Sequence, residues 1–252
     1  MNDKKHDLFD RLAVVGKAFG NAKRLELVDL LSQGERTVES LAREAGLGLS
    51  TASAHLQVLK LSSLVRRRRD GARVYYSLAG DDVLDLYASL GAVALRHSAD
   101  VDRALSAYLG EGVEGDVDEM ARGELLSRLA ADDVLLLDVR PVEEFQAGHI
   151  AGARSVPFDE IAQVVDRLDP DRDVVAYCRG AWCVLAHDAV RLLRASGRSA
   201  RRLEGGMLEW RQKGLPVRAG DDVDDLATAP GPLTAHPSPR TGTMTTPRED
   251  PL

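Results

Sequence analysis

Cys178 sits where a chain can make sulfur reactive. It ends the apolar run Val174-Val175-Ala176-Tyr177, which has the composition of a buried strand, and opens the loop Cys178-Arg179-Gly180-Ala181-Trp182-Cys183. The stretch that follows, Val184 to Leu193, has apolar residues at 185, 189, 192 and 193, the spacing of a helix, and Gly197 stops it. A thiol between a strand end and a helix N-terminus faces unpaired backbone N–H groups and the positive end of a dipole. Those surroundings predict a lowered pKa and negative charge held on sulfur.

The elements needed to place that loop alternate. Val134 to Val139 and Val174 to Tyr177 read as buried strands and Arg201-Arg202-Leu203 as a weaker third, with helical patterns between them. That order predicts a parallel α/β sheet. The chain before residue 110 is mostly helical. Leu8 to Phe19 and Ala22 to Leu31 have helical spacing, and Asn21 suits an N-cap for the second. Thr37 to Ala45 is a short helix without a capping box, and the turn Gly46-Leu47-Gly48-Leu49 leads to a helix beginning at Ser50. A strand pair around Asp70-Gly71 and one long helix from about Asp81 to Leu109 complete the block.

The 252 residues allow two small domains, and a hydrophobic content of 44% is ordinary for a globular chain. The expected division is a first domain over 1–110, a glycine-rich linker over 111–119, a second domain over 120–218 and a disordered tail over 219–252, where six of the ten prolines lie. Apolar runs are too short to cross a bilayer and the first seven residues are polar, so a cytoplasmic protein without membrane contact is expected. Both cysteines share one loop, which excludes a disulfide framework between distant parts. The net charge of −7 argues against general nucleic-acid binding. Residues 1–110 hold 16 Lys/Arg against 14 Asp/Glu, and they contain a dense basic patch.

On a helix from Ser50 to Leu61, Ala52, Leu56 and Leu59 share an inward face. Ser50, Ser53, Ala54 and Gln57 point away, small enough for close approach to base edges, and Gln can pair with adenine. Spacing alone fits two packed surface helices equally well. The next segment tips the balance. A two-residue Asp70-Gly71 turn would set Arg68 opposite Arg73 and Arg66 opposite Tyr75. Like charges directly opposed cost stability, which phosphate contacts would turn into binding energy. The bland reading is a solvated basic edge that deters aggregation. The candidate DNA contacts are Ser50, Thr51, Ser53, Ala54, His55, Gln57 and Lys60 on the helix, with Arg66, Arg68, Arg73 and Tyr75 on the hairpin.

Three segments carry a family resemblance: Leu30 to Ala42, Leu49 to Lys60, and Leu64 to Leu78. Roughly residues 8–100 resemble the ArsR-type winged helix-turn-helix regulators. The resemblance implies a homodimer joined through its first and last helices, bound to double-stranded operator DNA. The helix matching Thr37 to Ala45 lacks the Cys-x-Cys pair of many metal-sensing members, and Asp85, His97 and Asp100 lack paired-histidine spacing. No metal site is expected.

Residues from about Met120 to Val217 resemble the rhodanese domain, an α/β fold. The carriers are Leu137-Asp138-Val139-Arg140, Glu144-Phe145, Gly148 to Ala153, Val156-Pro157, Tyr177 to Gly180, and Leu203 to Gly206 with Trp210. The resemblance implies a persulfide on Cys178, with Gly180, Ala181 and Trp182 in the sulfur-binding loop. Arg179 would orient an anionic donor such as thiosulfate. Ala181 stands where many thiosulfate-using members have glycine, and Val184 stands where related phosphatases have arginine. Cys183 either resolves the persulfide or fills the helix start. Asp138 and Arg140 read as a structural pair, and Glu204 as a brace for the loop. His149 and His187 receive no role.

Together the two halves imply a DNA-binding regulator that senses or processes reactive sulfur from thiosulfate, a persulfide or a polysulfide, with no cofactor. The alternative is a cytosolic sulfurtransferase whose winged domain only dimerises or tethers it. A third possibility is an adaptor in which Cys178 is inert.

Overall fold

The computed structural model describes residues 2–110 and 117–220. The first unit runs α1 (Asn2–Phe19), α2 (Ala22–Ser32), β1 (Arg36–Thr37), α3 (Val38–Glu44), α4 (Leu49–Leu61), β2 (Val65–Asp70), β3 (Arg73–Leu78), α5 (Asp81–His97) and α6 (Ala99–Leu109). Asn21 caps α2 by accepting the Arg24 N–H at 3.1 Å. Thr37 caps α3 through the Ser40 N–H at 3.2 Å, so a single hydroxyl defines a start that no capping box marks. Gly46, at φ +60, turns the chain toward α4, which begins one residue before Ser50. Ala52, Leu56 and Leu59 are fully buried, as the wheel requires, against Leu27, Leu31 and Leu41.

Two expectations for this unit fail. The hairpin turn is Gly71-Ala72, not Asp70-Gly71: Asp70 faces Arg73, Arg68 faces Tyr75 and Arg66 faces Ser77. Gly71 takes the left-handed φ of +55 that a two-residue hairpin needs, and an opposite-charge pair closes the ladder. No arginines stand directly opposed across this ladder. The shift is an even one, so Arg66, Arg68, Arg73 and Tyr75 still share a face. The long helix is also broken, at Ser98, whose backbone is extended (φ −123, ψ 103). The Ser98 carbonyl accepts the N–H groups of Val101 and Asp102 and so starts a new helix. At the other end of α6, Arg191 donates to the carbonyls of Leu109 at 2.7 Å and Gly110 at 3.2 Å. The break redirects α6 toward that cation, which satisfies carbonyls the helix leaves open.

The second unit runs β4 (Glu119–Met120), α7 (Arg122–Ala130), β5 (Val134–Asp138), α8 (Val142–Ala147), β6 (His149–Ile150), β7 (Arg154–Ser155), α9 (Ile161–Val164), β8 (Asp173–Tyr177), α10 (Leu185–Ala195), β9 (Ala200–Leu203), α11 (Met207–Gln212) and β10 (Val217–Arg218). Its five-stranded sheet has the order β4-β9-β8-β5-β7 with every pair parallel. Parallel strands are covered on both faces, which explains the unbroken apolar runs of β5 and β8. One core lies beneath α9 and α10, the other beneath α7 and α11. Glu119 is already in the sheet, so this unit starts before residue 120, and linker positions 111–116 lie outside the described residues. Gly220 donates its N–H to Gln146 at 2.9 Å, so positions 219 and 220 stay with this unit, while the expected tail over 221–252 lies outside the described residues. Among the described residues no helix is long and apolar enough to cross a membrane.

Candidate functional site

Cys178 leaves the central strand β8 with its side chain wholly enclosed. The amides of Gly180 and Ala186 face its sulfur, and its thiol donates to the Cys183 carbonyl at 3.3 Å. Gly206 closes the back of the loop: a Cβ there would lie 2.5 Å from the Cys178 carbonyl oxygen. The amide cradle matches the expectation, but the charge balance does not. Burial, reinforced by the Cys183 thiol, pushes Cys178 well above the usual thiol range rather than below it. The two thiols are neighbours, so ionising one opposes ionising the other. Cys183 is the one drawn down, first by the Cys178 thiol and then by amides and the Arg179 charge.

Arg179 does not await an anion. Its guanidinium donates to Glu144 at 2.6 and 2.9 Å, and to Glu44 of α3 at 3.3 Å. Burial opposes the charge on Arg179, and Glu144 outweighs that and raises its pKa. Arg36 of β1 completes the square, bonding Glu44 at 2.6 Å and Glu144 at short range. Two cations and two anions from both units thus compensate one another, with Glu144 only 1% and Arg36 7% exposed. Nearby, Asp138 and Arg140 form a wholly buried pair at 2.6 Å. Tyr177 donates to Asp138 at 2.6 Å, and Arg140 reaches across the units to the side chain of Gln33 at 2.9 Å.

The rest of the loop also faces the first unit. Trp182 packs on α5, where Gly91 makes room: a Cβ at 91 would lie 2.3 Å from the indole. The Ala181 N–H donates to Glu209 of α11 at 3.2 Å. Glu209 is therefore the brace, and Glu204 is not; Glu204 pairs with Arg122 at 3.4 Å, where the chain enters α7. Asp29 of α2, under Tyr87 of α5, is pushed up to about 6, chiefly by desolvation.

In the first unit, Ser50, Thr51, Ala54, Gln57 and Lys60 are exposed on α4, and Ser53 and His55 are half-buried. Arg66, Arg68 and Arg73 are exposed on the hairpin. Arg68 stacks over Tyr75 at 4.5 Å from the ring centre and donates to Glu35 at 2.6 Å.

Sequence reasoning missed Glu44, Arg36, Gln33, Asp29 and Glu209. Each is tied to the site by a partner at least 28 residues away along the chain. The one available signal was Glu144, which sits in a family-like segment yet is charged and next to an aromatic core residue. Among the described residues no group of three His, Cys, Asp or Glu side chains could hold a metal ion.

Comparison with known proteins gives two family matches. Residues 21–67 match the model for bacterial regulatory proteins of the arsR family, and residues 121–213 match the rhodanese-like domain. The HTH-type transcriptional regulator Rv0324 of Mycobacterium tuberculosis is 52% identical over 222 residues, covering 88% of this chain and 96% of that protein. A protein of Allochromatium vinosum named sulfurtransferase is 36% identical over 104 residues, covering 41% of this chain and 96% of that one. Among solved structures, the homodimeric winged helix-turn-helix DNA-binding domain Mb0332 of Mycobacterium bovis is 49% identical, with a TM-score of 0.38, covering 40% of this chain and 93% of that one.

Proposed function

Since the chain belongs to the ArsR family of transcriptional regulators and carries a rhodanese domain, we propose that it binds operator DNA in the cytoplasm as a homodimer and that sulfur loading of the Cys178 loop resets its affinity. α4 would enter the major groove, with Ser50, Ser53, Ala54 and Gln57 toward base edges. Arg66, Arg68 and Arg73 would grip phosphates from the wing. The dimer would form over α1 and α5, where Phe9, Leu12 and Val93 are all more than half exposed and need a partner.

One observation carries the regulatory reading: Arg179, the neighbour of Cys178, is bonded to Glu44 at the end of α3. Any change of volume or charge at the sulfur acts on Arg179 and Trp182. Both press on the first unit, at α3 and α5 respectively. A loop that prefers one arrangement when loaded shifts the equilibrium of the reading head by that preference and no more. The same engagement speaks against fast turnover, since the cation expected to hold a donor is committed to two carboxylates.

Operator fragments selected from random DNA provide the assay, with binding titrated with and without a persulfide donor. Donor should change wild-type affinity by about fivefold or more, and Cys178→Ser should abolish the response. Equal affinity in all four conditions refutes sulfur sensing. The likeness to the Allochromatium sulfurtransferase supports a second reading, catalytic sulfur transfer. Rapid sulfur transfer to cyanide without sequence-selective DNA binding would favour it.

A further inference from the structure

Between the two units lies a cavity of about 240 Å³ whose walls include Glu26, Asp29 and Glu44 of the first unit, Tyr108 of α6, and Arg179 and Cys183 of the loop. Cys178 does not reach it: Cys183 keeps 8% exposure and Cys178 none. We propose that Cys183, not Cys178, is the thiol that meets the sulfur donor, and that the donor is an organic persulfide without net negative charge. The inference rests on the sulfur-loading reading above and adds the entry point and the donor class.

Access is the first argument. A donor must bring its sulfane sulfur into line with the attacking sulfur, and the enclosed Cys178 offers no such approach. Cys183 does, at the wall of a cavity large enough for a small molecule. Its thiol is also the readier of the two to ionise, drawn down by the neighbouring Cys178 thiol, by backbone amides and by the Arg179 charge.

Charge is the second argument. Three carboxyl groups line the cavity against one guanidinium, and that guanidinium already serves Glu144 and Glu44. Glu26 is paired with Lys23 at 2.7 Å, with both side chains partly exposed, and Asp29 accepts a hydrogen bond from Tyr87. Among the described residues that line the cavity, none is an uncommitted cation able to receive a dianion such as thiosulfate. An uncharged or ammonium-bearing persulfide meets a favourable field.

The chemistry balances without an outside oxidant. The Cys183 thiolate attacks the outer sulfur of R–S–SH. A bond forms between Cys183 sulfur and that sulfur, the R–S bond to it breaks, and R–S⁻ leaves, giving Cys183–S–SH. Cys178 then attacks the outer sulfur in turn, its proton passing to the Cys183 sulfur as that sulfur leaves. This yields Cys178–S–SH and returns Cys183 as its thiol, which loses its proton to the cavity before the next donor. The Cys178 sulfur lies 3.3 Å from the Cys183 backbone carbonyl, which supplies the proximity for this second transfer.

The test uses the reduced full-length chain with 2-aminoethyl hydropersulfide and thiosulfate as probes. Time-resolved peptide mass spectrometry locates the added sulfur in wild type, Cys178→Ser and Cys183→Ser. Cys178→Ser should still take up sulfur and hold it on Cys183, and Cys183→Ser should load Cys178 at least about tenfold more slowly than wild type. Limiting iodoacetamide on the wild type, which needs no variant to fold, should label Cys183 first. Normalised to their rates with free glutathione, the ammonium persulfide should outpace thiosulfate by about tenfold. Wild-type loading of Cys178 in Cys183→Ser, or first labelling of Cys178, overturns the entry role and leaves sulfur sensing standing. Equal normalised rates overturn the donor class. No sulfur on either cysteine from both donors overturns this inference together with the sulfur-loading reading beneath it.

Discussion

Replacing Glu144 by glutamine measures the junction between the two units. Glu144 is almost fully buried and accepts from both Arg36 and Arg179. Glutamine keeps the shape and removes the charge, so two guanidiniums, 7% and 20% exposed, are left with only the Glu44 carboxylate between them. Breaking a buried pair by removing one partner typically costs about 3–5 kcal/mol, because the surviving charge stays desolvated. Arg36→Met alone should cost a comparable amount. Arg36→Met with Glu144→Gln should cost about 2 kcal/mol less than the sum, since the double change removes the orphaned partner as well. Asp7→Asn, at an exposed pair with Arg11, is the control and should change stability by less than about 0.5 kcal/mol. Denaturant titration of the four proteins, followed by a probe in each unit, gives these differences. Glu44→Gln should in turn make operator affinity indifferent to persulfide donor, because Arg179 then loses its anion on α3. A loss below about 1 kcal/mol, the range of surface pairs, would refute the claim that these four charges couple the units.

Three further outcomes follow from the geometry. Arg68→Ala should weaken binding to all duplexes alike and lower the salt slope by about one, and an unchanged slope in salt titrations would remove the wing from the phosphates. Gly91→Ala should undock Trp182, since the added methyl would sit 2.3 Å from the indole; a red-shifted tryptophan emission and a lower melting temperature are expected, and an unchanged spectrum would contradict the packing. Asp29 has a folded-state pKa of about 6 against 3.8 ordinarily, so its protonated form is the one the fold favours. Its contribution to stability is complete below about pH 4 and is lost as pH rises through about 6. Asp29→Asn should therefore raise the melting temperature at pH 7 but not at pH 4, and an equal shift at both would show that ionisation is not the cause.

Much of this molecule is written locally. The wheel of α4, the apolar runs of β5 and β8, the Asn21 cap and the strand-loop-helix around Cys178 depend on neighbours within a few residues, and so they are legible one segment at a time. The face shared by Arg66, Arg68, Arg73 and Tyr75 is legible even though the turn is misplaced, because side chains alternate and an even shift keeps them together. The break at Ser98 is not, because no proline or glycine marks it, and the far end of α6 is held by Arg191, 93 positions beyond the break. The electrostatics of the sulfur loop are equally non-local. The chain order alone placed a thiol at a helix start and an arginine beside it, and both suggest an activated, anion-seeking cysteine. Packing decided otherwise: it enclosed Cys178, turned Cys183 to the cavity, and delivered Glu44 and Glu144 to Arg179. Desolvation and pairing depend on which distant surfaces meet, and that is a property of the folded pair of units rather than of any segment within them.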